Sequence, residues 1–163
     1  MNIILSNDEI KYKINRIAYQ IYESNVEGKE LIIAGIKTNG FELAKKIAKA
    51  LESISSIKVT LCEVIINKKN ALDTITTSIG RDKYTNKSVV LVDDVLHSGT
   101  TLIYGVRHFL DVPLLQFKTV VLVDRNHKKY PIKADFKGIS LSTSINENVA
   151  VVFEKNKDRV YLE

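Results

Sequence analysis

The sequence predicts an α/β fold, with a central, mostly parallel sheet flanked by helices. Three observations predict it. The short, wholly apolar runs Leu31 to Ala34, Val89 to Val92 and Val120 to Val123 read as strands buried on both faces. Between them lie stretches whose apolar residues recur at helical spacing, so that strands and helices alternate along the chain. The chain has 163 residues, only two prolines, no repeat and no low-complexity tract, which suits a single domain spanning 1–163.

Taken in order, Ser6 followed by Glu9 forms a capping box, and Ile10, Ile14, Ile17, Ala18 and Ile21 then fall on one helical face. The strand Leu31 to Ala34 is expected to stop at Gly35. After Gly40 a second helix carries Ala44, Ile47, Ala48 and Leu51 on one face. Val59 to Ile66 is β-rich. Asn67 to Asn86 is polar and without a clear period, and reads as a loop. The strand Val89 to Val92, a helix from Thr101 to Leu110 and the strand Val120 to Val123 follow. From Asp124 onward the chain reads as short β segments, including Val149 to Phe153 and Arg159 to Leu162. Ligands of such sheets bind at the carboxyl ends of the strands, which points to the loops after Ala34, Ile66, Val92 and Val123.

Bulk properties narrow the classes. Hydrophobic residues make up 45% of the chain, enough for a real core. No apolar run approaches the roughly 18–20 residues that span a bilayer. Met1 to Ser6 lacks the charged-then-apolar build of a secretory signal, so a cytoplasmic location is expected. The one cysteine, Cys62, lies in an apolar run and reads as a core residue. The net charge of +5 suits an anionic partner, whether a phosphorylated small molecule or RNA, without choosing between them.

The strongest chemical signal follows Val92. Two carboxylates, Asp93 and Asp94, lead through Val95, Leu96 and His97 into Ser98-Gly99-Thr100-Thr101 at the start of a helix. Unsatisfied N–H groups and the dipole at a helix start favour an anion. Gly99 lets the backbone approach phosphate oxygens, and the hydroxyls of Ser98, Thr100 and Thr101 can donate to them. The carboxylates can accept from ribose hydroxyls or hold Mg2+.

Residues 89 to 101 closely resemble the binding signature for phosphoribosyl pyrophosphate (PRPP) of type I phosphoribosyltransferases. Ile33-Ala34-Gly35-Ile36-Lys37-Thr38-Asn39-Gly40 resembles the pyrophosphate loop of the pyrimidine operon regulator/uracil phosphoribosyltransferase (PyrR) group. Leu122-Val123-Asp124-Arg125-Asn126-His127, with Pro131 to Asp135, resembles that group's base-binding hood, and Asp158-Arg159-Val160 its C-terminal strand. The resemblance implies the type I phosphoribosyltransferase fold, with a small C-terminal β hood at about 124–148 plus part of the N-terminus. It implies transfer of ribose 5-phosphate from PRPP to a nucleobase, uracil or a related pyrimidine, with release of pyrophosphate and with Mg2+ as cofactor. Asp93 and Asp94 would hold the ribose hydroxyls and, weakly or indirectly, the metal. Val95, Leu96, His97, Ser98, Gly99, Thr100 and Thr101 would wrap the 5′-phosphate. Lys37, Thr38, Asn39 and Gly40 would face the pyrophosphate, and Asp124, Arg125 and His127 the base. A homo-oligomer, dimer or larger, is implied by resemblance alone. His97 reads equally well as a site residue or as a satisfied loop histidine.

Three departures bear on activity. Asn39 and Thr100 stand where the group typically has arginine, and Asn67 to Asn86 is shorter than the group's flexible loop and lacks its Tyr-Arg-Asp-Asp run. Weaker PRPP affinity or slower turnover is therefore expected. The alternative reading is a catalytically weak, nucleotide-sensing, RNA-binding regulator. Its basic candidates are Arg16, His127, Lys128, Lys129 and Lys133, but Asn15, Tyr19, Ser24 and Ile139 fall where the group uses other residues for RNA. The reading therefore favours the enzyme over specific RNA attenuation.

Overall fold

The computed structural model describes residues 2–163. In chain order the elements are β1 (Asn2–Leu5), α1 (Asn7–Glu23), β2 (Glu30–Ile36), α2 (Asn39–Ile54), β3 (Lys58–Ile65), β4 (Thr76–Thr77), α3 (Arg81–Tyr84), β5 (Ser88–Leu96), α4 (Thr100–Phe109), β6 (Gln116–Arg125), β7 (Phe136–Leu141), β8 (Val149–Val152) and β9 (Arg159–Leu162). Six strands form the main sheet in the order β4-β3-β2-β5-β6-β7, and all of its pairings are parallel except β3 with β4. The other three form a small antiparallel sheet, β1-β9-β8.

Successive strand residues point to opposite faces, and the core divides accordingly. Ile33, Val90, Val92, Val120 and Leu122 pack against Ile17 and Ile21 of α1 and Leu43, Ile47 and Leu51 of α2. Ile32, Ala34, Val64, Leu91 and Val121 pack on the other face with Tyr84, Leu102 and Phe109. Cys62 is fully buried on that second face, as its apolar surroundings predict. The capping box of α1 is formed: Glu9 N–H donates to Ser6 Oγ, and Ser6 N–H to Glu9 Oε2.

The elements differ from the sequence reading in four places. Gly35 lies inside β2 rather than ending it. Its role is close approach, since a Cβ there would stand 2.4 Å from Phe41 Cα at the start of α2. β5 continues through Asp93 and Asp94 to Leu96, because its pairing with β6 persists as far as Leu96 opposite Asp124. The stretch 67–86 is only partly loop. It contains β4 and α3, and Tyr84 is buried edge-on against Phe109 with ring centroids 4.9 Å apart.

The fourth difference concerns the hood. The stretch 124–148 contributes β7 to the edge of the main sheet, whereas the small sheet draws on the N-terminus and on residues beyond 148. A polar clamp fixes β7 where it is. Thr119 N–H donates to Asp135 Oδ2 (2.8 Å), and Asp135 N–H donates back to Thr119 O (3.0 Å). Arg16 reinforces it from α1, donating from Nη2 to the carbonyls of Lys137 and Gly138, both at 2.7 Å.

Candidate active site

The carboxyl edges of β2, β5 and β6 place the predicted site segments side by side. Ala34 and Gly35 of β2 lie opposite Leu91 and Val92 of β5, and Leu96 of β5 lies opposite Asp124 of β6. Lys37 N–H donates to Val64 O (2.8 Å), holding the turn after β2 against β3, and the Lys37–Thr38 peptide is cis. The chain then enters α2 through Asn39 and Gly40. A side chain at Gly40 would meet Val92 O at 2.7 Å and Asp93 Cα at 3.1 Å, so the first turn of α2 sits directly on β5.

That approach brings Asn39 to the acid pair. Asn39 Nδ2 donates to Asp94 Oδ2 (3.2 Å) and to Val151 O of β8 (2.8 Å). Asp93 is buried, 4% exposed, and its Oδ1 accepts the N–H of Asp94 (2.9 Å). Burial, and then the neighbouring Asp94 charge, push the Asp93 carboxyl well above the usual carboxylate range. Lys68, from the loop after β3, acts in the opposite direction, which puts one of that loop's cations within electrostatic reach of the acid pair.

Beyond the pair, Val95 to Ser98, Gly99 and Thr101 line a recess of about 60 Å³ together with Asp93 and Leu102. Gly99 adopts φ +87°, and a Cβ there would stand 2.7 Å from Ile132 Cγ2, so both conformation and space call for glycine. Ser98 O accepts from the N–H groups of Lys129 (2.7 Å) and Tyr130 (3.1 Å), which turns the peptide and fixes the loop. Thr100 N–H donates to Ser98 Oγ, and the two hydroxyls are 2.8 Å apart. Among the described residues no protein acceptor meets the amides of His97, Ser98, Gly99 or Thr101. A small cup of free N–H groups and hydroxyls is suited to a phosphate.

The third predicted cluster is arranged differently. Asp124 is buried and paired with Lys128 (3.1 Å) and Lys137 (3.3 Å). The Arg125 guanidinium, 4% exposed, donates to Thr143 Oγ1 (2.8 and 3.0 Å) and to Glu147 O, and so anchors the turn before β8. His127 is exposed, and its Nε2 donates to Thr143 O (2.6 Å). His97 lies beside this group. Partial burial, then the charges of Arg125 and His127, lower its pKa. Its imidazole is therefore held toward the neutral form. Sequence reasoning missed Val151, whose contribution is a backbone carbonyl, and Thr143 and Glu147, which act on Arg125. A carbonyl leaves no trace in residue identity.

The model of the phosphoribosyl transferase domain matches residues 1–156. The chain belongs to the phosphoribosyltransferase family, whose members are PRPP-dependent pentosyltransferases. Among curated phosphoribosyltransferases, it is similar to the bifunctional protein PyrR of Macrococcus caseolyticus, with 32% identity covering 99% of this chain and 98% of that one. Similarity to the bifunctional protein PyrR of Oceanobacillus iheyensis is 36%, covering 98% and 95%, and to that of Bacillus subtilis 35%, covering 94% and 90%. Among solved structures, the hypoxanthine phosphoribosyltransferase of Trypanosoma cruzi superposes with a TM-score of 0.79 at 18% identity, over 99% of this chain and 96% of that one. That likeness establishes the type I phosphoribosyltransferase fold. Among the described residues no helix is long and apolar enough to cross a membrane.

Proposed function

We propose that this phosphoribosyltransferase transfers ribose 5-phosphate from PRPP to uracil or a related pyrimidine. The observation that carries the reading is the recess beside Asp93 and Asp94, with its unpaired amides at His97 to Gly99 and at Thr101. The PyrR names of the relatives support a pyrimidine as acceptor. In the reaction a ring nitrogen of the base forms a bond to the anomeric carbon of PRPP while the bond from that carbon to pyrophosphate breaks. The nitrogen's proton is lost to solvent or to a nearby acceptor.

The residues divide the work by position. Val95 to Thr101 would cradle the 5′-phosphate. Asp94, with Oδ1 open, would accept from the ribose hydroxyls, and buried Asp93 would orient the Asp94 backbone. Lys37, Thr38 and Gly40 would present their backbone and the Lys37 charge to the diphosphate. The backbone near Asp124 and Arg125, with His127, would meet the base. As the positive charge on the anomeric carbon grows, the Asp94 carboxylate would stabilise it electrostatically.

No group of three His, Cys, Asp or Glu side chains lies together among the described residues, so the protein offers no cage of its own for a metal. That suits Mg2+, which is often bound by one or two carboxylates plus substrate phosphates. Asp94 would be the carboxylate that holds it. When bound, the ion neutralises diphosphate charge.

The RNA-binding alternative loses part of its basic surface to internal contacts, since Arg16 is committed to β7 and Lys128 to Asp124. Incubation with PRPP and Mg2+ and each base in turn, read as pyrophosphate release, tests the proposal. Release with uracil or another pyrimidine is expected. Absence of release with every base, together with tight nucleotide binding, would overturn it in favour of a sensor.

A further inference from the structure

The side chain of Asn39 bridges three parts of the molecule. It stands at the first position of α2, donates to Asp94 Oδ2 on β5 (3.2 Å), and donates to Val151 O on β8 (2.8 Å). Both partners can only accept, which fixes the orientation of the amide: the nitrogen must face them and Oδ1 must face away. An amide nitrogen has two N–H groups, and both are engaged. What remains is an oxygen acceptor, which cannot bind an anionic diphosphate. The Asn39 side chain therefore has no donor left for pyrophosphate, and only its backbone N–H at the start of α2 could meet it.

We propose that Asn39 is a positioning residue, which aims the Asp94 carboxylate at the ribose and latches the small sheet to the PRPP site. The inference rests on the reading of Asp94 as the ribose acceptor. Geometry explains why the latch can form. Gly40 lets α2 rest on Val92 and Asp93, so the short Asn39 side chain reaches Asp94. With Oδ2 held by Asn39, Oδ1 is left for the ligand. β8 otherwise joins the rest of the molecule through its antiparallel pairing with β9 and through apolar packing of Val149 and Val151. The bond to Val151 O is thus a direct polar link from the small sheet to the acid pair. Ligand at Asp94 is then sensed by β8, and the position of β8 feeds back on Asp94.

The test combines PRPP calorimetry with amide hydrogen exchange across residues 149–152, on the wild-type chain and on N39A and N39D. In the wild type, PRPP with Mg2+ should slow exchange in β8. N39A, which removes both donors, should bind PRPP about tenfold more weakly or worse, and β8 should exchange faster and no longer respond to PRPP. N39D should bind more weakly still, because it sets a second negative charge against Asp94. If N39A proves unfolded by circular dichroism, N39S is measured in its place. Unchanged PRPP affinity in N39A, or a β8 response to PRPP equal to that of the wild type, overturns the proposal. Wild-type chain that binds no PRPP overturns the functional reading instead, and the latch is then judged by β8 exchange without ligand, where equal rates in wild type and N39A refute it.

Discussion

Replacing Gly40 by alanine sets two known effects against each other. In a helix the exchange stabilises by about 0.8–1.0 kcal/mol through backbone entropy. Here the new methyl would stand 2.7 Å from Val92 O, 3.1 Å from Asp93 Cα and 3.2 Å from Asp93 Oδ1. Two of these atoms belong to the backbone of a central strand paired on both sides, so neither can step aside. Forcing extra volume into such a place costs typically about 1–3 kcal/mol, and rigid neighbours favour the upper part of that range. The clash should win by about 1–2 kcal/mol. For a domain of this size that lowers the melting temperature by roughly 2–8 °C. The functional effect is separate. Relief requires the first turn of α2 to move off β5, and the Asn39 to Asp94 bond, already 3.2 Å long, would lengthen further. PRPP affinity should therefore fall along with stability. Differential scanning calorimetry with and without PRPP reads both. A melting temperature equal to or above that of the wild type would show that helix propensity prevails and that α2 is not seated on β5 as described.

Three further substitutions probe the acid pair and its neighbours. Asp94→Asn should weaken PRPP binding by about tenfold or more through loss of charge-assisted hydrogen bonds, and unchanged affinity in calorimetry would remove Asp94 from the ribose site. Asp93 has its folded pKa raised by burial and by Asp94, so its effect on stability is most favourable below the unfolded pKa and declines as pH rises toward the folded value. Asp93→Asn, whose Oδ1 can still accept the Asp94 N–H, should raise the melting temperature at neutral pH and flatten its decline above about pH 4. Arg125→Ala should cost about 1–3 kcal/mol in urea unfolding, because the carbonyl of Glu147 loses its donor. Hydrogen exchange should locate the damage at 142–148.

How much of this was legible in the sequence depends on which physical signal carried it. The apolar strands and amphipathic helices were readable because burial leaves a period, and the turn from Asp93 to Thr101 stood out because its carboxylates, glycine and hydroxyls follow one another closely in the sequence. Tyr84 escaped because a one-turn helix shows no period, and its burial against Phe109 depends on a contact 25 residues away. The small sheet was misplaced because short strands 2–5 and 149–152 acquire meaning only through β9, which lies between them.

The absence of arginine at Asn39 and Thr100 was readable as missing charge, but its structural counterpart was not. Thr100 pairs with Ser98, and Asn39 with Asp94 and Val151, so each position where the resemblance led to an expectation of arginine serves here as an internal brace. Stored order can offset part of a missing attraction: groups already held in place need no further ordering when a ligand arrives. That exchange has a limit. Bracing can aim Asp94 and the amide cup, which in the proposed function would serve the ribose 5-phosphate half of PRPP, but it supplies no positive charge to a departing diphosphate. The near cations for that half are Lys37, beside the turn, and Lys68, whose field already reaches Asp93. The proposed function therefore predicts an asymmetric enzyme, competent in gripping the ribose phosphate and weak in stabilising the leaving group. Lys68→Ala should lower kcat more than it raises the KM for PRPP. An equal effect on both would mean that Lys68 contributes only to binding.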